Sequence, residues 1–134
     1  MTVHRILQPG GWPRPSGYSN GIVAKGRTVV LAGQIGWDAM TGRLAEGMAA
    51  QVKLALLNIV TLLAESGAEV TDVVRMTWFV TDMDQYRRDA KAIGQCYRRV
   101  MGRHFPTMSV IGVSCLVERE ALVEIEATAV AGDV

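Results

Sequence analysis

Two glutamates, Glu124 and Glu126, stand two positions apart in the run Val123-Glu124-Ile125-Glu126-Ala127, so on an extended strand their carboxylates share one face. A carboxylate can hold and deprotonate water, but the spacing equally describes charges that face solvent or pair with neighbours. His104, in Arg103-His104-Phe105-Pro106, is a general-base candidate by type, yet no acid lies nearby in the chain to orient it. Cys96 and Cys115 have neither CxxC spacing nor accompanying histidines, which argues against a zinc site and a disulfide framework. Both are expected as buried thiols, and no metal or organic cofactor is implied.

Charge adds little. Arg87, Arg88, Lys91, Arg98 and Arg99 recur on one helical face, but without the interleaved exposed aromatics that stack single-stranded RNA, and such a face is more often solvated. The formal net charge of +1 gives no global field toward nucleic acid, an anionic membrane or a polyanion. A length of 134 residues with 49% hydrophobic content suits one domain, 1–134, with its own core. Residues 1–8 hold no apolar run of signal-peptide length, and no stretch of about 18 uninterrupted apolar residues occurs, so a cytoplasmic protein is expected.

The elements that must position these groups follow from pattern. Pro9, Pro13 and Pro15 with Gly10 and Gly11 make Gln8 to Ser16 an irregular arm, which Trp12 is placed to pin down. Ile22-Val23-Ala24 and Thr28 to Ala32 flank Lys25-Gly26-Arg27, predicting a hairpin. Trp37, beyond the next glycine, suits either a pocket wall or a structural contact. Apolar residues at Met48, Val52, Leu56, Ile59 and Leu63 mark one helix face, stopped by Gly67 as a left-handed cap. Val73 to Val80 is a strand, with Val74, Met76, Trp78 and Val80 assigned to one face and Arg75 and Thr77 to the other. Asp84 is the expected cap of a second helix with the apolar face Tyr86, Ala90, Ile93, Tyr97, Val100 and Met101, ending at Gly102. Two strands follow, Met108 to Cys115 and Leu122 to Val130, around the charged turn Glu118-Arg119-Glu120.

The order ββαβαββ predicts an α/β (α+β) fold: a mixed sheet with two helices packed on one face, each helix showing a single apolar stripe. Ile22, Val30, Trp78 and Val110 look too apolar for a solvent-facing sheet surface, so association of copies through the open face is expected.

Several segments in this order resemble the RidA/YjgF family: Gly17-Tyr18-Ser19, Ala32-Gly33-Gln34-Ile35, Gln51 and Asn58 on the first helix, and Val123-Glu124-Ile125-Glu126-Ala127. The likeness runs from about Tyr18 to Val130. It implies a homotrimer of chorismate-mutase-like subunits whose sheets form a central barrel, with a small-molecule pocket at each subunit interface. Active members hydrolyse reactive imines and enamines, such as 2-aminoacrylate-derived species, to ketoacids and ammonia. On that resemblance Glu124 is the water-holding carboxylate, Tyr18 a second catalytic-site residue, and Ala32, Gly33, Gln34, Trp37, Met108 and Val110 lie in the substrate-binding region.

One departure bears on chemistry. The family places a carboxylate-gripping arginine two residues after a proline, and here Pro106-Thr107-Met108-Ser109 puts methionine there. A thioether cannot make the forked, charge-assisted hydrogen bonds of a guanidinium. Ala32 also replaces a serine common in the family. Either the substrate is another imine or enamine, held by apolar contact with Met108 and by another cation such as Arg14, Lys25, Arg27 or Arg119, or the trimer is a non-catalytic small-ligand binder. Ribonuclease action or translation inhibition, described for some relatives, is a minor third reading.

Overall fold

A computed structural model describes residues 4–132. Its chain order is β1 (Arg5–Leu7), β2 (Gly21–Val23), β3 (Arg27–Ile35), α1 (Met48–Glu65), β4 (Val73–Val80), α2 (Met83–Arg88), α3 (Ala90–Met101), β5 (Thr107–Gly112) and β6 (Val123–Ala131). The main sheet runs β3-β6-β4-β5, antiparallel except for the parallel pair β4–β5, and β1 and β2 form a separate ribbon. This is the mixed α+β architecture expected from the pattern.

The helical layer covers one sheet face. Met48, Val52, Leu56, Ile59 and Leu63 of α1 are buried, together with Ile93, Tyr97 and Met101 of α3. They meet Met76, Trp78 and Val80 of β4 and the alternating Val123, Ile125, Ala127 and Ala129 of β6. Although α1 is 18 residues long with a mean hydropathy of 1.4, its apolar stripe is occupied by this core. Gly67, at φ 78°, follows α1 as expected, and the Ala68 N–H returns to the Leu63 carbonyl.

Several local expectations are corrected. The hairpin across Gly26 does not form: Ile22 pairs with Ile6, while β3 takes β6 as its partner. Gly26 instead lies against the end of β6, where a Cβ would collide with the Ala131 carbonyl. The second helix breaks at Asp89 into α2 and α3, and Asp82 rather than Asp84 caps α2, its carboxylate accepting from the Gln85 N–H at 3.0 Å. A register shift between Val73 and Arg75 leaves Val73 fully buried and Val74 only half-buried, breaking simple alternation. Trp12 is 60% exposed, and its backbone is tied only within the arm, its N–H donating to the Pro9 carbonyl and its carbonyl accepting from the Gln8 side chain among the described residues. Cys115 is exposed and Cys96 half-buried, so neither is the buried thiol expected.

The open face is also different in composition. Trp78 and Val110 lie on the helical side, and Ile22 belongs to the β1–β2 ribbon. Cross-strand pairing sets three rows on the open face, Val30–Thr128–Arg75–Thr107, Glu126–Thr77–Ser109 and Ile35–Glu124–Phe79–Ile111. Val30 is 75% exposed there.

Candidate functional site

An aromatic pocket opens between the edge strand β5 and helices α2 and α3. Met108 and Val110 project into it because they pair in register with Met76 and Trp78, whose side chains face the helices. Trp78 meets Tyr86 edge-on at 6.5 Å between ring centroids and Tyr97 at 6.2 Å, and Tyr97 stacks on Phe105 at 5.7 Å. The cavity measures about 370 Å³. Burial raises the pKa of both Tyr86 and Tyr97, keeping the phenols neutral. The Tyr97 hydroxyl donates to the His104 carbonyl at 2.6 Å. The indole N–H of Trp78 is buried without a hydrogen-bond partner among the described residues, a state that costs about 1–3 kcal/mol.

Tyr18 closes one side of this pocket. Its position is set by its neighbour: Ser19 is buried, its hydroxyl donates to the Phe105 carbonyl at 2.6 Å, and its N–H donates to the Pro106 carbonyl at 3.1 Å. Tyr18 and Phe105 also border a second basin of about 440 Å³ that holds His4, Arg14, Arg103 and His104. His104 is structural there, with its Nε2 2.7 Å from the Val73 carbonyl.

Glu124 lies on the opposite face of the sheet, flanked across the strands by Ile35 and Phe79. A bulge in β3 between Leu31 and Gln34 brings Gly33 beneath it, so close that a Cβ at 33 would lie 2.6 Å from the Glu124 carboxyl carbon. Among the described residues the Glu124 carboxylate has no ion pair, since the one salt bridge joins Arg87 to Asp84. Ala32 and Gln34 belong to the same notch, the Gln34 side-chain N–H donating to the Ala32 carbonyl at 3.2 Å. Glu126 shares the face but is exposed, opposite Thr77.

The sequence-chosen residues therefore fall into separate groups within one chain. Tyr18, Met108 and Val110 share the aromatic pocket, while Ala32, Gly33, Gln34 and Glu124 form the acidic notch across the sheet. Trp37 is in neither: it bridges Leu44 beside a groove lined by Arg43, Glu118 and Glu120, and its carbonyl accepts from Asn58. Of the candidate cations, Arg27 donates to the Ser66 carbonyl and Arg14 faces the second basin. The cation bordering the aromatic pocket is Arg98, assigned from sequence to a solvated face. Tyr86, Tyr97 and Trp78 were legible as apolar positions, and only the third dimension separates a core stripe from a pocket wall.

Residues 13–131 match the family model described as Endoribonuclease L-PSP. The chain is a member of the L-PSP (RidA/YjgF) family. This L-PSP chain is 32% identical over 131 residues to the 2-iminobutanoate/2-iminopropanoate deaminase of Capra hircus, covering 97% of the chain and 92% of that relative. Among solved structures it is similar to the conserved Rid family protein YyfB of Yersinia pestis, described as of unknown function, with TM-score 0.83, 33% identity and coverage of 96% and 98%. It is also similar to TdcF of E. coli with bound serine, with TM-score 0.70, 30% identity and coverage of 96% and 99%. Family membership accounts for the shared architecture; residue 108 of this L-PSP protein remains a methionine packed on its core.

Proposed function

We propose that the protein is a hydrolytic deaminase of a small reactive imine or enamine, working as a homotrimer in which the aromatic pocket of one chain meets the Glu124 notch of the next. The observation that carries the reading is the Glu124 carboxylate held over Gly33 without an ion pair, a group left available to take a proton. The names of the deaminase relatives support the reaction class. Exposed Val30 and Ile111 support closure of the open face by further copies.

In this reading the substrate's C=N carbon sits between the two half-sites. Glu124 accepts a proton from water as its oxygen bonds to that carbon, and the C=N π electrons move to nitrogen. Glu124 returns that proton to the nitrogen to give the carbinolamine, then relays the hydroxyl proton to the amine, and the C–N bond breaks with its electrons leaving on ammonia as the carbonyl forms; an enamine enters after protonation at carbon to the imine. Water is consumed and no redox partner is needed. Positioning contributes most of the rate, because the uncatalysed hydrolysis is already facile. Two free thiols suit a reducing, cytoplasmic setting.

The test is ammonia release from a panel of amino-acid-derived imines. Wild type should exceed Glu124→Gln by at least tenfold at unchanged folding; equal rates would end the catalytic assignment. Methionine at position 108 favours a second reading, a trimer that binds a small ligand without turning it over. Ordinary enzyme turnover on any member of the panel excludes it. Ribonuclease action is the lesser alternative, and RNA cleavage that fails to co-elute with the protein removes it.

A further inference from the structure

We infer that the ligand of the aromatic pocket carries an aromatic-sized apolar group together with one anionic group, the ring lying against Tyr18, Tyr86 and Phe105 and the anion meeting Arg98 at the rim. This rests on the imine or enamine reading above and narrows its substrate class.

Size is the first argument. A cavity of about 370 Å³ holds on the order of a dozen non-hydrogen atoms at the ~30 Å³ that each water occupies in the liquid. A three- or four-carbon imino acid would leave most of that space to water against apolar walls. Chemistry is the second. The less buried rings of the lining, Tyr18, Tyr86 and Phe105, stand beside Val110, and such a wall favours edge-on or offset contact with a further ring. Met108 adds a polarisable thioether, which contacts ring edges favourably and adapts to their outline.

Charge is the third. No carboxylate lines the cavity, and Arg98, on α3, has no ion pair among the described residues. Gly94, one helical turn earlier, gives the guanidinium room: a Cβ there would lie 3.3 Å from the Arg98 Nη1. The cation thus stands on the helical wall rather than at the strand position where the family resemblance expects it.

Two measurements decide it. Phenylpyruvate and pyruvate, the keto products of an aromatic and a small imino acid, are titrated calorimetrically into the intact protein. Phenylpyruvate should bind at least tenfold more tightly, and equal or tighter binding of pyruvate overturns the inference. Arg98→Ala should weaken phenylpyruvate by about tenfold while leaving the neutral ketone phenylacetone unchanged; equal effects on both ligands, or none on either, overturn the anion assignment. Ala90→Phe, at the exposed lip of the pocket, should abolish phenylpyruvate binding without lowering the melting temperature, and unaltered binding places the ligand elsewhere and overturns the inference.

Hydrolysis is measured separately, on imines formed by an amino-acid oxidase from phenylalanine and from alanine. Selective phenylpyruvate binding with no turnover of either imine would uphold the ligand class and sink the deaminase reading. Faster turnover of the alanine-derived imine would do the reverse.

Discussion

A single methyl group can separate catalysis from stability at Gly33. Gly33→Ala would place a Cβ 2.7 Å from a Glu124 carboxylate oxygen, and the flexible end of that side chain would swing aside. Imine hydrolysis should fall at least tenfold, while stability changes by only about 0.5 kcal/mol, as for other exposed positions; paired activity and urea-unfolding measurements check this. Tyr97 gives a pH prediction. Burial raises its pKa above the ordinary 10.0, so above that pH the unfolded chain loses a phenolic proton that the folded chain keeps, and stability falls as pH rises. Tyr97→Phe should flatten this alkaline limb and lose about 1 kcal/mol below it, with the bond to His104. Unfolding free energies at about pH 8 and about pH 11 supply the comparison. At this scale Glu124 and Gly33 were legible only through resemblance; two glutamates at period two do not say which one overlies a glycine. Arg98 was not legible as a pocket residue because its neighbours Arg99 and Lys91 share its type and helix.

Element positions depend on a few buried polar ties. Gln51, 3% exposed on α1, donates to the Ala45 and Glu120 carbonyls at 3.0 and 3.3 Å and accepts from the Leu122 N–H at 2.8 Å. It fixes the helix to both the loop after β3 and the start of β6, the two segments flanking the acidic notch. Gln51→Met keeps the shape but strands three backbone groups, so a loss of about 3 kcal/mol in urea unfolding is expected. At α2, Asp82→Ala should cost about 1 kcal/mol of stability by removing the cap, and Asp84→Ala less, because its pairing with Arg87 is exposed. Helix α1, strand β6 and the buried stripe of α3 were legible because an apolar period persists over many residues. The β1–β2 pairing was not: a three-residue strand carries no period, and a glycine between two apolar runs signals a turn without naming which strand pairs across it. The bulges in β3 and β4 were hidden for the same reason, since one extra residue changes facing without changing composition.

For the whole molecule, the face opposite the helices is the deciding surface. Val30 stands 75% exposed in the row containing Arg75. If the proposed trimer closes through this face, Val30→Lys should introduce like-charge repulsion there and shift it toward monomer in sedimentation velocity, with the proposed deaminase activity falling in step. Sequence reasoning expected apolar side chains on this face, although Ile22, Trp78 and Val110 were wrongly counted toward it. The pocket and the notch lie on opposite sides of one sheet, and this has a genetic corollary. A chain with Glu124→Gln keeps a sound pocket, and a chain with Ala90→Phe keeps a sound carboxylate. Each alone should be inactive, yet co-refolded at equal amounts they should regain activity at about a quarter of their junctions, those that by chance join the two intact halves.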